Sequence, residues 1–489
     1  MITRKFLKGK KVLVMGLGRL GGGVATVNWL LKHDAEVTVT DLRTEDELKD
    51  SIKKISKKVH GVFGEHRKKD IVENDMLVVN PAVRLNNQFV LYARKLGIPV
   101  ENEMTLFFRF TQNQIIGVTG TRGKTTTVHW TAHLLSQALT ASIKPIGNNP
   151  KRPFLKELDS LKKNIPAVLE LPSWQLELLP EAKKSPHIAL ITNLFPDHLN
   201  TYASMEAYAK AKANIFKWQT ADDFLILNYQ NEWTKFFLAR LMGGQACLSG
   251  RQAKKPRAHV FYFSSSVLPR RHNGVFVKNG HIVFQKDGVQ TTLGKISGFE
   301  RAFGAHNMEN LLASALAARL FLPRFKLTAS AIKTLPAVPF RQEIILRTAK
   351  QTVVNDSAAT TEEATIALLR RFSRESKKQY ILITGGTNKN LSYCQLAKET
   401  KRRILPKYLI LLAGSATDVL INELQKRRYW NEQIHVYETL RECVHAASQA
   451  SVFGNKIVLF SPGAASFEKF KNEFDRGKKF NLLVRKYFH

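Results

Sequence analysis

A glycine-rich segment at Ile115–Thr127, with the sequence IIGVTGTRGKTTT, constrains the fold of this chain more than any other stretch. An apolar run precedes it and a helix-like segment follows, so the order is strand, turn, helix. Backbone N–H groups of such a turn point into one concavity at a helix N-terminus, where the dipole favours anions. We therefore predict a phosphate-binding loop with the candidate nucleotide-binding residues Gly120, Thr121, Arg122, Gly123, Lys124, Thr125 and Thr126.

This loop departs from the longer G-x-x-x-x-G-K-[ST] pattern, because Val118 stands where the first glycine of that pattern belongs. What remains is the shorter form G-T-x-G-K-T. In such loops the lysine reaches the outer phosphates and the hydroxyl after it ligates Mg²⁺. Lys124 and Thr125 are therefore the first candidates for binding phosphate and metal.

Length and composition bound the class of protein. The 489 residues suffice for about three domains. The formal net charge is +35, and we interpret it as a solvated basic surface without a specific nucleic-acid partner, with nucleic-acid affinity as the alternative. No apolar run approaches the roughly 20 residues of a membrane span. The scattered cysteines Cys247, Cys394 and Cys443 suit a reducing compartment, so we expect a cytoplasmic protein without membrane insertion.

The first segment, residues 1–111, has the pattern of a Rossmann-like domain. The strand KKVLVMG leads into Gly16, Gly18 and Gly21 in G-x-G-x-x-G spacing, and a second strand ends at Asp41. An acidic residue at about this distance suits a ribose hydroxyl, and the pattern alone indicates dinucleotide binding. The alternative is that the glycines serve only strand-to-helix packing. A dehydrogenase would need a catalytic partner in the next segment, which offers a phosphate loop instead.

The central segment, residues 112–338, continues with two strands that end in polar residues. PAVLELP delivers Glu170, and HIALITNLFPDHLN delivers Asn193, Asp197 and His198. Because ligands bind outside the carboxyl ends of parallel strands, Glu170 and His198 are expected near the phosphates. A surface carboxylate and a structural histidine are the alternatives.

The segment MEAYAKAKANIFKWQ places Lys212 in an apolar stripe with Tyr208, Ile215 and Phe216. A buried ammonium is unfavourable, so such a lysine is paired, depressed in pKa or covalently modified. Snorkelling from the stripe edge is the alternative. Further along, GAHNMENLLAS starts a helix with Asn307 and Asn310 at its head, where amides can hold a nucleotide or merely cap the helix.

A third α/β alternation fills residues 339–489. Its strand candidates are EIILR, TVVND, YILITGG, YLILLAG, IHVYE and KIVLFSPG, which indicates a second Rossmann-like domain. Polar strand ends are expected to face a cleft, and they lie at Asp356 and Ser357, at residues 385–389 and at residues 461–466.

Five motifs, in this order, resemble the Mur ligase family: GTRGKTT, LELPSWQLE, NLFPDHLN, YAKAK and GAHNMENLLAS. The resemblance spans essentially the whole chain. It implies three α/β domains: a Rossmann-like N-terminal domain that binds a UDP-linked substrate, a central P-loop ATPase-like domain with a mostly parallel sheet and a small β-rich part, and a Rossmann-like C-terminal domain that binds an amino acid.

The resemblance also implies roles for individual residues. Lys124 and Thr125 would hold the ATP phosphates and one Mg²⁺ with Glu170, while His198 and Lys212, as its carbamate, would serve a second ion. Asn307, Asn310, Arg341 and Asp356 would contact the nucleotide. The candidate residues for the UDP-linked substrate and the amino acid are Gly16, Gly18, Arg19, Asp41, Asn148, Thr360, Lys389 and Ser466.

The family activity implied is ATP-dependent amide synthesis in peptidoglycan precursor formation, through an acyl phosphate. SPGAASFEKFKNEFDRG resembles the branch that adds D-glutamate to UDP-N-acetylmuramoyl-L-alanine, and a monomer is expected. Ala358 stands where many members have a lysine that contacts the amino-acid carboxylate, and Phe340 where a histidine is common. The alternatives are a ligase for another amino acid, an NAD-dependent oxidoreductase and a basic nucleic-acid-binding protein.

Overall fold

The structure is a computed structural model that describes residues 4–19, 21–147, 152–197, 201–243, 257–372, 379–389, 391–452 and 454–488. The chain packs into two compact units. The first unit contains the chain up to Phe303 together with Asn307–Pro336, and the second contains Gly304–His306 together with the chain from Ala337 onward. The predicted division into three domains, with a first boundary after residue 111, stays a prediction.

The first unit begins with a sheet of five parallel strands in the order β3-β2-β1-β4-β5. Parallel strands in this order are typical of a Rossmann-like half, as the sequence predicted. The strands are β1 Lys11–Met15, β2 Glu36–Asp41, β3 His60–Phe63, β4 Met76–Val79 and β5 Val100–Glu101.

A second sheet in the same unit has nine strands in the order β14-β13-β12-β11-β10-β9-β6-β8-β7. Its strands are parallel from β7 to β12, whereas β12, β13 and β14 run antiparallel. The β-rich part predicted from the sequence is thus an extension of the central sheet. The strands are β6 Ile115–Thr119, β7 Pro145–Ile146, β8 Ala167–Glu170, β9 Ile188–Ile191, β10 Phe224–Asn228, β11 His259–Ser264, β12 Gly274–Lys278, β13 His281–Lys286 and β14 Val289–Lys295.

The turn between β12 and β13 has the backbone geometry that its local sequence favours. Lys278 pairs with His281, so only Asn279 and Gly280 form the turn, and both have positive φ, 50° and 71°. A two-residue turn of this kind matches the right-handed twist of the strands, and Asn-Gly is its favoured sequence. The Asn-Gly pair in GVFVKNGHIVFQ therefore forms a two-residue hairpin turn.

The second unit contains a six-stranded sheet in the order β15-β16-β20-β17-β18-β19. All six predicted strand sequences form strands here. Five are parallel, while β15 at the edge pairs antiparallel with β16, which differs from a purely parallel doubly wound sheet. The strands are β15 Glu343–Arg347, β16 Gln351–Asn355, β17 Gln379–Gly385, β18 Leu409–Leu412, β19 His435–Tyr437 and β20 Lys456–Phe460.

Helices connect and cover the sheets, which gives the mixed α/β class predicted from the sequence. None of the helices within the described residues is long and apolar enough to cross a membrane. The helices are α1 Gly22–Lys32, α2 Glu45–Ile52, α3 Lys68–Val72, α4 Gln88–Lys95, α5 Glu103–Phe110, α6 Lys124–Leu139, α7 Phe154–Leu158, α8 Ser173–Leu176, α9 Met205–Ala213, α10 Thr234–Leu241, α11 Phe299–Phe303, α12 Met308–Phe321, α13 Ala329–Lys333, α14 Glu362–Phe372, α15 Cys394–Arg403, α16 Ser415–Lys426, α17 Leu440–Ala450 and α18 Glu473–Tyr487.

Candidate functional site

The phosphate loop lies between the fully buried strand β6 and helix α6, as predicted. It is held from the neighbouring strand end: the Thr192 hydroxyl donates to the Arg122 carbonyl at 2.6 Å, and the Arg122 N–H donates to Asn193 Oδ1 at 2.9 Å. The Thr121 N–H donates to the Asn193 carbonyl at 3.0 Å. Sequence reasoning singled out Asn193 only as a strand end and missed Thr192. The side chains of Thr192 and Asn193 therefore hold the loop backbone in place, and we do not count them as ligand-binding residues.

Two glycines of the loop cannot carry a side chain in this arrangement. Gly120 has φ 147°, and a Cβ there would clash with the Thr192 hydroxyl oxygen. Gly123 has φ 82°, and its Cβ would clash with Asn310 Oδ1. Close packing of the loop backbone therefore explains both glycines, independently of any ligand.

Lys124 and Lys212 meet at one backbone oxygen. Lys124 Nζ donates to the carbonyls of Gly120 at 2.9 Å and of Thr121 at 3.0 Å. Lys212 Nζ donates to the same Gly120 oxygen at 2.9 Å and lies 4.3 Å from the ring centroid of Tyr208. The predicted burial of Lys212 is confirmed, since the residue is 1% exposed.

The Lys212 ammonium is held in an unfavourable environment. Burial lowers its pKa well below the usual lysine value, the positive charge of Lys124 lowers it further, and the carboxylate of Asp197 opposes both effects. A lysine with a depressed pKa has a larger share of neutral amine, which is the nucleophilic form. The alternative of snorkelling does not describe this side chain.

The amides at the head of α12 connect to the helix that follows the loop. Asn310 Oδ1 accepts a hydrogen bond from the Thr127 hydroxyl at 3.2 Å, and Asn310 Nδ2 donates to Asn307 Oδ1 at 2.8 Å. Asn307 Nδ2 donates to the Phe303 carbonyl at 2.8 Å, and its side chain makes no capping hydrogen bond. Asn310 therefore packs against Gly123 of the phosphate loop, and Asn307 binds Asn310 without capping α12. Contact of either amide with a nucleotide stays a prediction.

Oxygen-bearing candidates for Mg²⁺ surround the same loop. Thr125 is half-buried in the first turn of α6, and Glu170 is buried at the end of β8, where its strand pairs directly with β6. His198 lies outside the described residues. In the part of the chain that the structure describes, no group of three or more His, Cys, Asp or Glu side chains could hold a metal. Mg²⁺ usually takes one or two protein carboxylates and completes its shell with phosphates and water, so a hydroxyl and a carboxylate suit it.

Asp41, the last residue of β2, hydrogen-bonds to the glycine-rich turn of the first sheet. Asp41 is 3% exposed, its Oδ2 accepts the Gly18 N–H at 3.0 Å, and its Oδ1 accepts the Arg43 N–H at 3.0 Å. Arg19 is exposed and pairs with Glu47 at 3.1 Å. Asp41 therefore shapes the loop that carries Gly16 and Gly18, and its contact with a substrate stays a prediction. Asn148 lies outside the described residues.

In the second unit, Asp356 is a buried acid at the end of β16. Its Oδ2 accepts the Ser461 hydroxyl at 2.8 Å and its Oδ1 accepts the Gln342 N–H at 3.0 Å. Burial raises its pKa to about 7, against the effect of these hydrogen bonds and of the charges of Arg341 and Arg371. Arg341 itself is exposed.

The segment that carries Ser466 is fixed by Arg476, which sequence reasoning missed. This guanidinium is fully buried and donates to the carbonyls of Ser357 at 2.7 Å, Ala464 at 3.0 Å and Ala465 at 3.0 Å. Ser466 is buried as well, Thr360 is half-buried and Lys389 is exposed. Arg476 lies within the motif SPGAASFEKFKNEFDRG, and this motif was the sequence signal that could have identified it.

Known families match both parts of the first unit. Residues 118–318 match the model described as Mur ligase middle domain, and residues 10–102 match the model described as Mur ligase MurD-like, N-terminal domain. The second match associates the glycine-rich turn with a ligase rather than with a dehydrogenase.

Curated relatives align over nearly the full chain. A UDP-N-acetylmuramoylalanine–D-glutamate ligase from Roseiflexus sp. is 35% identical over 487 residues, which cover 98% of this chain and 99% of the relative. The ligase of the same name from Clostridioides difficile is 32% identical over 480 residues, with coverages of 97% and 98%.

Solved structures share the fold at lower identity. UDP-N-acetylmuramate-alanine ligase MurC from Thermotoga maritima has a TM-score of 0.55 at 20% identity and covers 98% of this chain and 99% of its own. MurF ligase from Thermotoga maritima in complex with ADP has a TM-score of 0.55 at 15% identity, with coverages of 99% and 97%. Because both alignments cover nearly the whole chain, the similarity in fold includes the second unit as well.

Proposed function

The chain belongs to the Mur ligase family, and we propose that it is the ATP-dependent ligase that adds D-glutamate to UDP-N-acetylmuramoyl-L-alanine. Its full-length relatives carry the name of that activity at 30–35% identity. The structural observation that carries the proposal is the convergence of Lys124 and Lys212 on the Gly120 carbonyl at the N-terminus of α6. This arrangement supports a site where phosphate chemistry is catalysed.

ATP binding is assigned to the phosphate loop and to the head of α12. The ammonium of Lys124 would turn from the loop carbonyls to the outer phosphates, and the Thr125 hydroxyl and Glu170 carboxylate would hold Mg²⁺. Asn307 and Asn310 would contact the nucleotide, with Arg341 and Asp356 as further contacts. Bound Mg²⁺ neutralises charge on the phosphates and polarises the phosphoryl group.

The second metal position is assigned to His198 and Lys212. The neutral amine favoured by burial attacks CO₂, loses a proton and forms a carbamate, which replaces a buried cation with an oxygen anion. Hard cations such as Mg²⁺ prefer oxygen ligands, so the carbamate supplies what the amine cannot.

The reaction is a phosphoryl transfer followed by amide formation. The alanine carboxylate of the UDP-linked substrate attacks the γ-phosphate of ATP, which gives an acyl phosphate and ADP. The D-glutamate amine then attacks the acyl carbon, phosphate leaves, and the amide loses a proton. Lys124 reduces the repulsion between the two anions that must meet in the first step.

The substrates are assigned from sequence position and from the local structure. Gly16, Gly18, Arg19, Asp41 and Asn148 are proposed for the UDP-linked substrate. For D-glutamate we propose Thr360, Lys389 and Ser466, with Lys389 supplying the positive charge that Ala358 lacks. The exposed Lys389 and the rigid segment held by Arg476 support this assignment.

A coupled phosphate-release assay tests the proposal. Phosphate is expected only when ATP, Mg²⁺, UDP-N-acetylmuramoyl-L-alanine and D-glutamate are all present, and omission of any one is the matched control. Activity with another amino acid but not with D-glutamate would keep the family and overturn the specificity. Absence of turnover with every amino acid would overturn the proposed activity.

Location and assembly complete the proposal. ATP and the UDP-linked precursor are cytoplasmic metabolites, so the enzyme is assigned to the cytoplasm. It is proposed to act as a monomer, and light scattering at assay concentration gives the mass that tests this assignment.

A further inference from the structure

The sheet of the second unit has one end where its parallel strands begin and an opposite end where they finish. Asp356 and Ser466 follow the carboxyl ends of β16 and β20, whereas short connections precede the amino ends of the strands. We give the name amino-end rim to the described connections before β16, β18, β19 and β20, together with the last turns of α15 and α16. The connections are residues 348–350, 404–408, 427–434, 451–452 and 454–455.

Hydrogen bonds between neighbouring connections make the amino-end rim one continuous surface. The Lys456 N–H donates to the Lys350 carbonyl at 3.1 Å, which joins the start of β20 to the start of β16. The Lys456 ammonium donates to the Tyr408 hydroxyl oxygen at 2.9 Å. That hydroxyl in turn donates to Gln379 Oε1 at 2.8 Å, which joins the connection before β18 to the start of β17.

Two basic clusters that are separate in the sequence meet at the amino-end rim. Lys401–Arg403 forms the end of α15, and Lys426–Arg428 forms the end of α16 and the residues after it. The Lys401 ammonium donates to the Arg427 carbonyl at 2.6 Å, so the two helix ends lie side by side. Cations are favourable at helix C-termini, but two helices alone do not account for every cation here.

Most cations of the amino-end rim lack a carboxylate partner. Glu399 and Glu423 pair with other arginines and lysines, and Glu432 is the single acidic residue among the described connections. Clustered charge of one sign attracts a surface of the opposite sign. Among the described residues, no carboxylate forms an ion pair with these five exposed cations: Lys350, Lys401, Arg402, Lys407 and Arg428.

Aliphatic side chains are exposed between these cations. Leu405 is 51% exposed and Val452 is 59% exposed, each in a connection that leads into a strand. Nucleic acids gain from exposed aromatic rings on which bases stack, whereas the described aromatic residues of these connections are buried or half-buried. Exposed aliphatic residues among cations suit a partner that is anionic at its surface and apolar beneath, which is a lipid bilayer.

We propose that the amino-end rim docks the protein on a membrane surface rich in anionic lipids. The cations lie at the lipid headgroups, and Leu405 and Val452 enter the outer part of the acyl region. Docking is peripheral and leaves Asp356 and Ser466 accessible, because a five-residue strand separates the two ends of the sheet by about 17 Å. This interaction gives part of the net charge of +35 a partner and does not depend on the proposed function.

Sedimentation of the full chain with lipid vesicles tests the proposal. The vesicles contain equal parts of phosphatidylglycerol and phosphatidylcholine, at about 0.1 M salt so that distant charges are screened. The rim variant combines Arg402→Gln, Lys407→Gln and Arg428→Gln. Each cation close to an anionic surface contributes about fivefold to partition, so we expect the rim variant to bind at least about 30-fold more weakly than the wild type.

A control variant removes the same number of charges elsewhere in the second unit, because a chain of this charge is attracted to any anionic surface. It combines Lys478→Gln, Arg485→Gln and Lys486→Gln, all exposed on α18. The end of α18 lies beside the start of α17, which follows the carboxyl end of β19, since Arg441 Nε donates to the Tyr487 hydroxyl oxygen at 3.0 Å. We expect the control variant to weaken partition less than about threefold.

Leu405→Ser distinguishes a lipid surface from a nucleic acid. We expect it to weaken vesicle partition about threefold to tenfold and to leave binding to a short DNA duplex unchanged, because only a bilayer offers an apolar interior. Leu482→Ser is the matched control, since Leu482 is 63% exposed on α18, and should change neither.

Two results would overturn the proposal. One is equal vesicle partition of the rim variant and the control variant. The other is a loss of DNA binding in the rim variant with no effect of Leu405→Ser on vesicle partition, which would indicate a nucleic-acid surface. Vesicle partition needs no turnover, so a chain without ligase activity that still shows the expected pattern would overturn only the proposed function.

Discussion

Lys124 and Lys212 donate to the same acceptor, the Gly120 carbonyl oxygen, each at 2.9 Å. Two ammonium groups so close repel each other, and the charge of Lys124 is one cause of the lowered pKa of Lys212. The Gly120 carbonyl and the neighbouring Asp197 offset part of this repulsion. Lys124 and the Lys212 amine thus meet at one carbonyl near the N-terminus of α6, where the helix dipole favours an anion.

Replacement of the loop lysine is expected to abolish turnover. Lys124→Ala removes the cation proposed to neutralise the transferring phosphoryl group, and we expect kcat to fall by about 10³-fold or more. Phosphate release with both substrates measures the effect. Lys286→Ala, an exposed lysine on β13 of the same unit, is the control and should retain full activity. Equal activity of both variants would contradict the assigned role of Lys124.

Removal of the Lys212 ammonium is expected to abolish activity without lowering stability. Lys212→Met replaces a desolvated cation with an apolar chain of similar volume, so we expect the free energy of unfolding to stay unchanged or to rise by about 1–3 kcal/mol while turnover is lost. Chemical denaturation and the phosphate assay measure the two effects. Lys210→Met is the stability control, because Lys210 is exposed and forms an i,i+4 surface ion pair with Glu206, and should change stability by less than about 0.5 kcal/mol.

Addition of one methyl group to the loop is expected to disrupt it. In Gly120→Ala the new Cβ clashes with the Thr192 hydroxyl at a backbone angle of φ 147°, so we expect lower thermal stability and weaker ATP binding. Gly22→Ala is the matched control, since a Cβ at that position meets nothing within 4 Å and Gly22 lies in α1. The control should be neutral or slightly stabilising. A Gly120→Ala chain with normal stability and ATP affinity would refute the steric account.

The buried acid of the second unit is expected to make stability depend on pH. Between its usual pKa near 3.8 and its folded pKa of about 7, Asp356 keeps a proton in the folded state that the unfolded state has lost. Stability therefore falls as pH rises through this range and is constant above it. Relative to Asp356→Asn, the wild type should lose about 2–3 kcal/mol between pH 5 and pH 8, measured by denaturation. A pH-independent difference would contradict the raised pKa.

Arg476 is expected to act as a positioning residue for the amino-acid side of the reaction. Arg476→Met removes the guanidinium donors to the carbonyls of Ser357 and Ala464 and one of two donors to the Ala465 carbonyl, which the Thr387 N–H also binds, so we expect a loss of about 3–5 kcal/mol in stability. Arg476→Lys should recover part of that stability and raise the KM for D-glutamate more than the KM for ATP. Arg485→Lys, an exposed arginine on the same helix, is the control. Equal effects on both KM values would indicate a purely structural role.

Local patterns predicted most of the fold. The strands, the Asn279-Gly280 hairpin and the buried stripe around Lys212 follow from periodicity and turn chemistry, which depend on residues close in the chain. The antiparallel edge strand β15 was not predicted, because strand direction at an edge depends on pairing across the sheet. The hydrogen bonds from the Gly18 and Arg43 N–H groups to Asp41 also could not be predicted, because a carboxylate at that spacing can equally face a ligand.

The sequence by itself determined the phosphate loop, the order of its motifs and the family, because these depend on residue type and spacing along the chain. Only the tertiary structure decided that Thr192 and Asn193 hold the loop, that Lys124 and Lys212 share one acceptor, and that Arg476 fixes the segment of Ser466. Thr192 and Lys212 bind loop residues that lie 70 and 92 positions away in the chain, and Arg476 also binds Ser357, 119 positions away. Their geometry depends on which strands become neighbours in the sheet, and spacing along the chain does not encode that choice.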